Sequence, residues 1–206
     1  KDSSATQGKL DVLRREIRYK NPLYASVQYP EPIAAKSLQE KVLRDGEALA
    51  QYFLSKQDVY CLLIGRKGFN VIKLPVTHGE LIGKVNDLVG SIKGYVHKER
   101  FRENLAEDLY DILVKPLEPF LGDETIIVVP QGVLAYLPFE TLRTEKDGRK
   151  IFLLEKYRVK YIQSGTVLGV LRSQYEREGS GGSFIGFGDP VYDYQSYTSE
   201  NRDGRD

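Results

Sequence analysis

The chain has 206 residues, enough to bury a substantial core in one large domain. Its 30 Lys and Arg nearly cancel its 29 Asp and Glu, and a net charge of +1 offers no bulk attraction for nucleic acid or an anionic membrane. Cys61 has no second cysteine to pair with, no spacing matches a zinc cluster, and no apolar run approaches the roughly 20 residues of a membrane span, so a reducing, cytoplasmic setting without a metal or other cofactor is expected.

The chain has no secretory opening and no methionine, as expected of an excised or processed piece. Residues 1–8 are small and polar and read as a loose lead-in. Leu10, Leu13 and Ile17 then fall at helical spacing, and Asn21-Pro22 ends that helix. The prolines of Tyr29-Pro30-Glu31-Pro32 enforce an extended path. A second short helix is predicted from Ala34 or Ser37 to Leu43, with Ser37 and Glu40 at capping-box spacing, and Asp45-Gly46 ends it.

From Leu49 the period becomes two. Leu49, Gln51 and Phe53 share one side of a strand and Ala50, Tyr52 and Leu54 the other; Val59 to Ile64 and Phe69 to Leu74 follow after turns, and Pro75 is expected to stop the third strand. The pattern is an antiparallel meander over roughly 48–74. Leu81, Val85, Leu88, Val89 and Ile92 then mark one amphipathic helix and Phe101, Leu105, Leu109, Ile112 and Leu113 another.

Thr125-Ile126-Ile127-Val128-Val129 carries no polar alternation, as suits a strand buried on both faces at the centre of a sheet. Pro130 removes a ladder donor and Gly132 admits a conformation other residues avoid, so the chain turns there, and Leu134, Leu137 and Phe139 carry it back to the core. Thr144 to Lys150 reads as a charged surface loop, with short strands at Ile151 to Leu154 and Tyr157 to Ile162. Ser164 is a good N-cap for a helix through Val167, Leu168 and Leu171. Ser180-Gly181-Gly182 breaks the chain before a buried strand, Phe184 to Phe187, and Tyr192 to Asp206 has the composition of a linker or exposed end.

Several of these segments together resemble the CHAT domain, a caspase-like and separase-like family usually found behind tetratricopeptide repeats. The residues are Asn21-Pro22, Tyr29 to Pro32, Tyr52-Phe53-Leu54, Leu109 to Leu113 with Pro116-Leu117, Val129-Pro130-Gln131-Gly132, Leu137-Pro138-Phe139-Glu140, Ser164, and Gly186-Phe187-Gly188-Asp189-Pro190. The resemblance implies an α/β fold, a caspase-like three-layer arrangement with a mixed central sheet, here incomplete. Residues 1–47 would be a helical and extended lead-in, 48–178 the pseudo-caspase half, 183–190 the first strand of the catalytic half, and 191–206 a tail or linker. Pro130, Gly132, Pro138, Phe139, Glu140, Gly188, Asp189 and Pro190 are then fold-forming positions.

The family's catalytic histidine and cysteine, in motifs resembling His-Phe-Ala-Thr-His-Gly and Ser-Ala-Cys, do not occur in these residues. The implied role is to brace a cysteine endopeptidase, with the rest of the same polypeptide as partner. Gln131 and Ala135 depart from the family pattern, where an acidic residue and a histidine are common.

Thr77-His78-Gly79 and Cys61 invite a reading as a catalytic pair, but a peptidase dyad must converge at an exposed edge. Cys61 sits mid-strand in an apolar run, which suits a small buried hydrophobe, and His78 precedes Gly79-Glu80 at a helix start, an ordinary surface or capping position. His97 reads as a loop residue between the two helices. Gly186 to Asp189 faintly resembles a phosphate-binding turn, but Pro190 follows and no Gly-Lys-Ser/Thr does. Two other readings stand beside the first: a non-enzymatic interaction scaffold, for which the meander edge and the tyrosine-rich tail are candidate surfaces, and a small nucleotide-binding α/β domain.

Overall fold

The computed structural model describes residues 2–21, 24–25, 31–95, 101–122 and 125–178. The chain divides into two compact units, Lys1–Gln174 and Tyr175–Asp206. Of the second, only the last residues of one helix are described. His97 and Gly188-Asp189-Pro190 lie outside the described residues, as do the strand at 183–190 and the tail.

The meander forms β1 (Glu47–Leu54), β2 (Asp58–Gly65) and β3 (Gly68–Thr77). The apolar run becomes β4 (Thr125–Val129), and Arg158–Tyr161 is β7. Together they make a mixed sheet of order β3-β2-β1-β4-β7, with β1 antiparallel to β2 but parallel to β4, and β4 parallel to β7. Every residue of β4 is buried, as its uniform β-branched composition predicts.

The alternation in β1 divides two cores. Ala48, Ala50 and Tyr52 face the larger, with Cys61, Leu63, Ile126 and Val128; Leu49 faces the smaller, with Ile64, Ile127 and Val129. The larger is closed by α3 (His78–Tyr95) through Leu81, Val85 and Leu88, and by α4 (Glu103–Leu113) through Ala106, Leu109, Tyr110 and Leu113. Leu38, Val42, Leu43 and Leu168 close the smaller, the last from α6 (Gly165–Glu178). The result is helix, sheet and helix in three layers. α6 approaches closely because Gly165 and Gly169, one turn apart, carry no side chain; a Cβ at Gly165 would stand 2.8 Å from Leu38 Cδ1.

Five expectations change. The first helix, α1, runs Asp2–Lys20, so the small polar residues at its start are helical rather than a loose lead-in. The short helix near Ser37 has no capping box: α2 (Ala35–Ser37) leads into a π-helical turn, Leu38–Val42, and Ser37 is itself helical, at φ −68° and ψ −35°. β3 continues through Pro75 to Thr77. It is the edge strand, and its register slips between Asp58 and Tyr60, so a missing donor there breaks no regular ladder.

The expected charged loop is instead a hairpin of β5 (Arg143–Lys146) and β6 (Arg149–Phe152), and the strand expected to reach Leu154 gives way to a helical turn, α5 (Leu153–Lys156). Asp147 and Gly148 have φ 52° and 74°, the two left-handed residues that a tight hairpin turn requires.

The smaller core's end is locked by charge. Glu47, with 5% of its side chain exposed, accepts two bonds from Arg172 of α6, at 2.7 and 2.9 Å, one from the Arg44 amide at 2.9 Å and one from Lys160 of β7 at 3.2 Å. Arg172 also donates to the Val42 carbonyl. Burial pushes the Glu47 carboxyl up, but these donors outweigh it and hold the pKa at about 2 against an ordinary 4.5.

Between those values the unfolded chain binds the proton and the folded chain does not. The stabilisation is therefore complete above pH 4.5 and lost as pH falls toward 2. Glu47→Gln should cost roughly 3 kcal/mol near pH 7 and flatten the acid limb of the stability curve, measured by urea unfolding from pH 2 to 7.

Candidate functional site

Three parallel strands end at one edge: β1 at Leu54, β4 at Val129 and β7 at Tyr161. Loops at the carboxyl ends of such strands are where α/β folds place their sites. Here the loop after β4 is pinned on both sides. Gln131 Oε1 accepts the Leu54 amide at 2.8 Å, tying the exit of β4 to the end of β1. Gly132 then takes φ +57°, and a Cβ there would meet Leu54 Cδ2 at 3.6 Å. The 3-10 turn Gly132–Tyr136 follows, with Leu134 buried inside it and Leu137 buried just after it.

Pro138 precedes a second 3-10 turn, Phe139–Thr141, and its carbonyl accepts the Thr141 amide at 3.0 Å and the Thr141 hydroxyl at 2.8 Å. Phe139 is buried between Tyr52 and Tyr161, with ring centres 5.4 and 6.3 Å away. Its amide donates to Tyr161 Oη at 2.9 Å, and that hydroxyl donates to Glu140 Oε2 at 2.6 Å. Burial, and then the Glu140 carboxylate, push the Tyr161 phenol well above its ordinary value.

Pro130, Gly132, Pro138, Phe139 and Glu140 therefore lie together in the loop that follows β4, at the rim, the edge where β1, β4 and β7 end. Gln131, Glu140 and Tyr161 are each engaged in hydrogen bonds that fix backbone or one another, while Ala135 and Tyr136 face outward. Tyr161 is the member that sequence reasoning missed. Its part depends on the parallel register of β7 on β4, which no local pattern announces.

Cys61 is fully buried at the middle of β2, opposite Tyr52 of β1, and burial pushes its thiol up to about 12. His78 opens α3 beyond the end of β3, its amide bonded to the Gln57 carbonyl at 2.8 Å. The cap of that helix is Thr77 with Glu80: Glu80 Oε2 accepts the Thr77 amide at 3.0 Å, and Thr77 Oγ1 accepts the Glu80 amide at 3.3 Å. The Thr-x-x-Glu spacing was legible as a capping box. Among the described residues, no group of three or more His, Cys, Asp or Glu is placed to hold a metal.

A second polar cluster joins α4 to α5. Tyr110 donates to Glu118 at 2.5 Å, and Lys156 reaches the same oxygen at 2.5 Å. Burial and then Glu118 push Tyr110 to about 12. For Lys156 burial works against the charge, but Glu118 and Tyr110 outweigh it and raise the pKa. At the opposite end of the sheet, a cleft of about 420 Å³ opens between the β2–β3 turn and Phe120, where Arg66 is paired with Asp45 at 3.3 Å.

A family model described as the CHAT domain matches residues 103–202, from the start of α4 onward. No curated protein matches the chain. Among the described residues, no helix is long and apolar enough to cross a membrane.

Tyr161→Phe should cost about 1 kcal/mol and speed hydrogen exchange at the Phe139 amide, read by two-dimensional NMR, because the amide loses its acceptor. Iodoacetamide at pH 8 should leave Cys61 unmodified in the native chain and add one equivalent after unfolding in guanidinium, read by intact mass; stoichiometric native labelling would contradict the burial.

Proposed function

We propose, from the match of residues 103–202 to the CHAT-domain model and from the resemblance of that domain to caspase-like peptidases, that this chain is the supporting, pseudo-caspase half of a cysteine endopeptidase. It braces a catalytic half and couples that half to upstream repeats or a bound partner. Residues 48–178 form the brace, 183–190 begin the catalytic half, and 191–206 link or trail.

The observation that carries this reading is the commitment of the rim. At the carboxyl edge of the sheet, where a dyad would need a free thiolate and imidazole, Gln131, Glu140 and Tyr161 hold backbone and one another, and the chain's one thiol lies inside the core. Such a rim suits a rigid wall better than a reactive centre. The departures at Gln131 and Ala135 fit the same role: Gln131 is used as a clamp on Leu54, and Ala135 brings no titratable group to the loop.

The 206-residue chain alone should cleave no peptide, and Cys61→Ala should leave its fold and its inactivity unchanged. Extending it by any sequence that follows Asp206 in its reading frame, if that sequence carries a histidine and a cysteine at strand ends, should bring cleavage that either substitution abolishes. Cleavage by the shorter chain that is lost in Cys61→Ala would overturn the proposal. An extended chain that binds partners and cleaves nothing would favour the scaffold reading.

A further inference from the structure

β3 is ten residues long and, among the described residues, pairs on one side only, with β2. A bare edge of that length is a template for another strand, and folds ordinarily blunt it with lysine, proline or a bulge. In β3 those devices sit in the second half: Lys73, Pro75 and the register slip opposite Asp58 and Tyr60. Lys73 is itself tied to Asp58 at 2.9 Å. The first half, from Gly68 to Ile72, has no charge, no proline and no bulge. It exposes Phe69 and Val71, at 47% and 60%.

The register fixes which backbone groups are free. The two-residue turn Arg66-Lys67 is closed by the pair Gly65 and Gly68, which exchange hydrogen bonds, and bonding alternates along the ladder from there. The N–H and C=O of Asn70 and Ile72 therefore point at β2, whereas those of Phe69, Val71 and Lys73 point away from it. The side chains of these same three residues share the outer face of the sheet.

We propose that this edge pairs with β3 of a second copy of the chain, antiparallel, about a two-fold axis at Val71. Charge and Pro75 together select that register: with the axis at Ile72, Phe69 faces Pro75, which has no donor, and the ladder keeps four regular main-chain bonds rather than six. With the axis at Asn70, Lys67 of one copy opposes Lys73 of the other; with the axis at Lys73, the two Lys73 oppose each other and Pro75 removes a donor. An axis at Phe69 runs into the turn after one pair. With the axis at Val71, Val71 faces its symmetry mate and Phe69 faces Lys73 on both sides. Six main-chain bonds form, and each Lys73 ammonium lies beside a Phe69 ring. The contact is small, so the dimer is reversible and depends on concentration.

Sedimentation equilibrium of the full chain should show a shift toward twice the monomer mass as concentration rises. Val71→Lys and Val71→Glu, each alone, place like charges on the axis and should sediment as monomers with native circular dichroism. Their equimolar mixture should recover the dimer, a result specific to a register in which residue 71 faces itself. As a measurement on the unaltered chain, exchange at the Phe69, Val71 and Lys73 amides should slow at least severalfold between dilute and concentrated samples, with Asn70 and Ile72 unchanged. A wild-type chain that stays monomeric overturns the proposal. So does a dimer that persists in natively folded Val71→Lys, or one whose formation leaves those three amides unaffected.

Discussion

The pairing of β1 with β4 is the constraint on which the rest of the molecule depends. β1 is antiparallel to β2 on one side and parallel to β4 on the other, so one strand joins a local hairpin system to a distant crossover. A parallel neighbour requires a long connection, and here β2, β3, α3, α4 and the turn after α4 supply it, the two helices covering one face of the sheet on the way. β7 then extends the parallel part, and the carboxyl ends of β1, β4 and β7 come together at one edge.

Two polar locks hold the layers around that sheet. Glu47, at the start of β1, binds Arg172 from the outer helix and Lys160 from β7. A buried carboxylate is tolerable there because its donors leave neither oxygen unpartnered. On the other side, Glu118 takes Tyr110 and Lys156, joining the crossover helix to the turn beyond the second hairpin. Both locks connect elements far apart in sequence, and both leave the centre of the sheet apolar. The carboxyl rim follows the same logic: Gln131 and the Tyr161–Glu140 pair use their hydrogen bonds on the scaffold. A rim spent in this way is the basis of the supporting role proposed above.

The match from residue 103 onward begins at α4 and leaves out the meander. Structurally the two cannot be separated, since β1 contributes one wall of each core and supplies the neighbour for β4. Among the described residues, the meander also leaves β3 at the end of the strand order, paired on one side. Its uneven blunting, with lysine and proline on one half and exposed Phe69 and Val71 on the other, sets it apart from an ordinary solvated strand.

Sequence alone determined what depends on neighbours along the chain. The alternation of β1, the unbroken β-branched run of β4, the left-handed Gly132 and the Ser164 cap follow from local sterics and hydrogen bonding, which a few residues dictate. Ser164 does accept the Val167 amide, at 3.1 Å. Two local signals were present and went unread: Asp147-Gly148 is a hairpin turn, and Thr77 with Glu80 is a capping box. Only the tertiary structure decided the rest. Tyr161 becomes the hinge of the rim because a parallel register brings it beside Phe139, and Glu47 becomes a buried anion because α6 delivers Arg172 to it. Pro75 could remain in a strand because β3 lies at the sheet edge. Register and edge are properties of the assembled sheet, set by which strands meet, and no window of the sequence contains them.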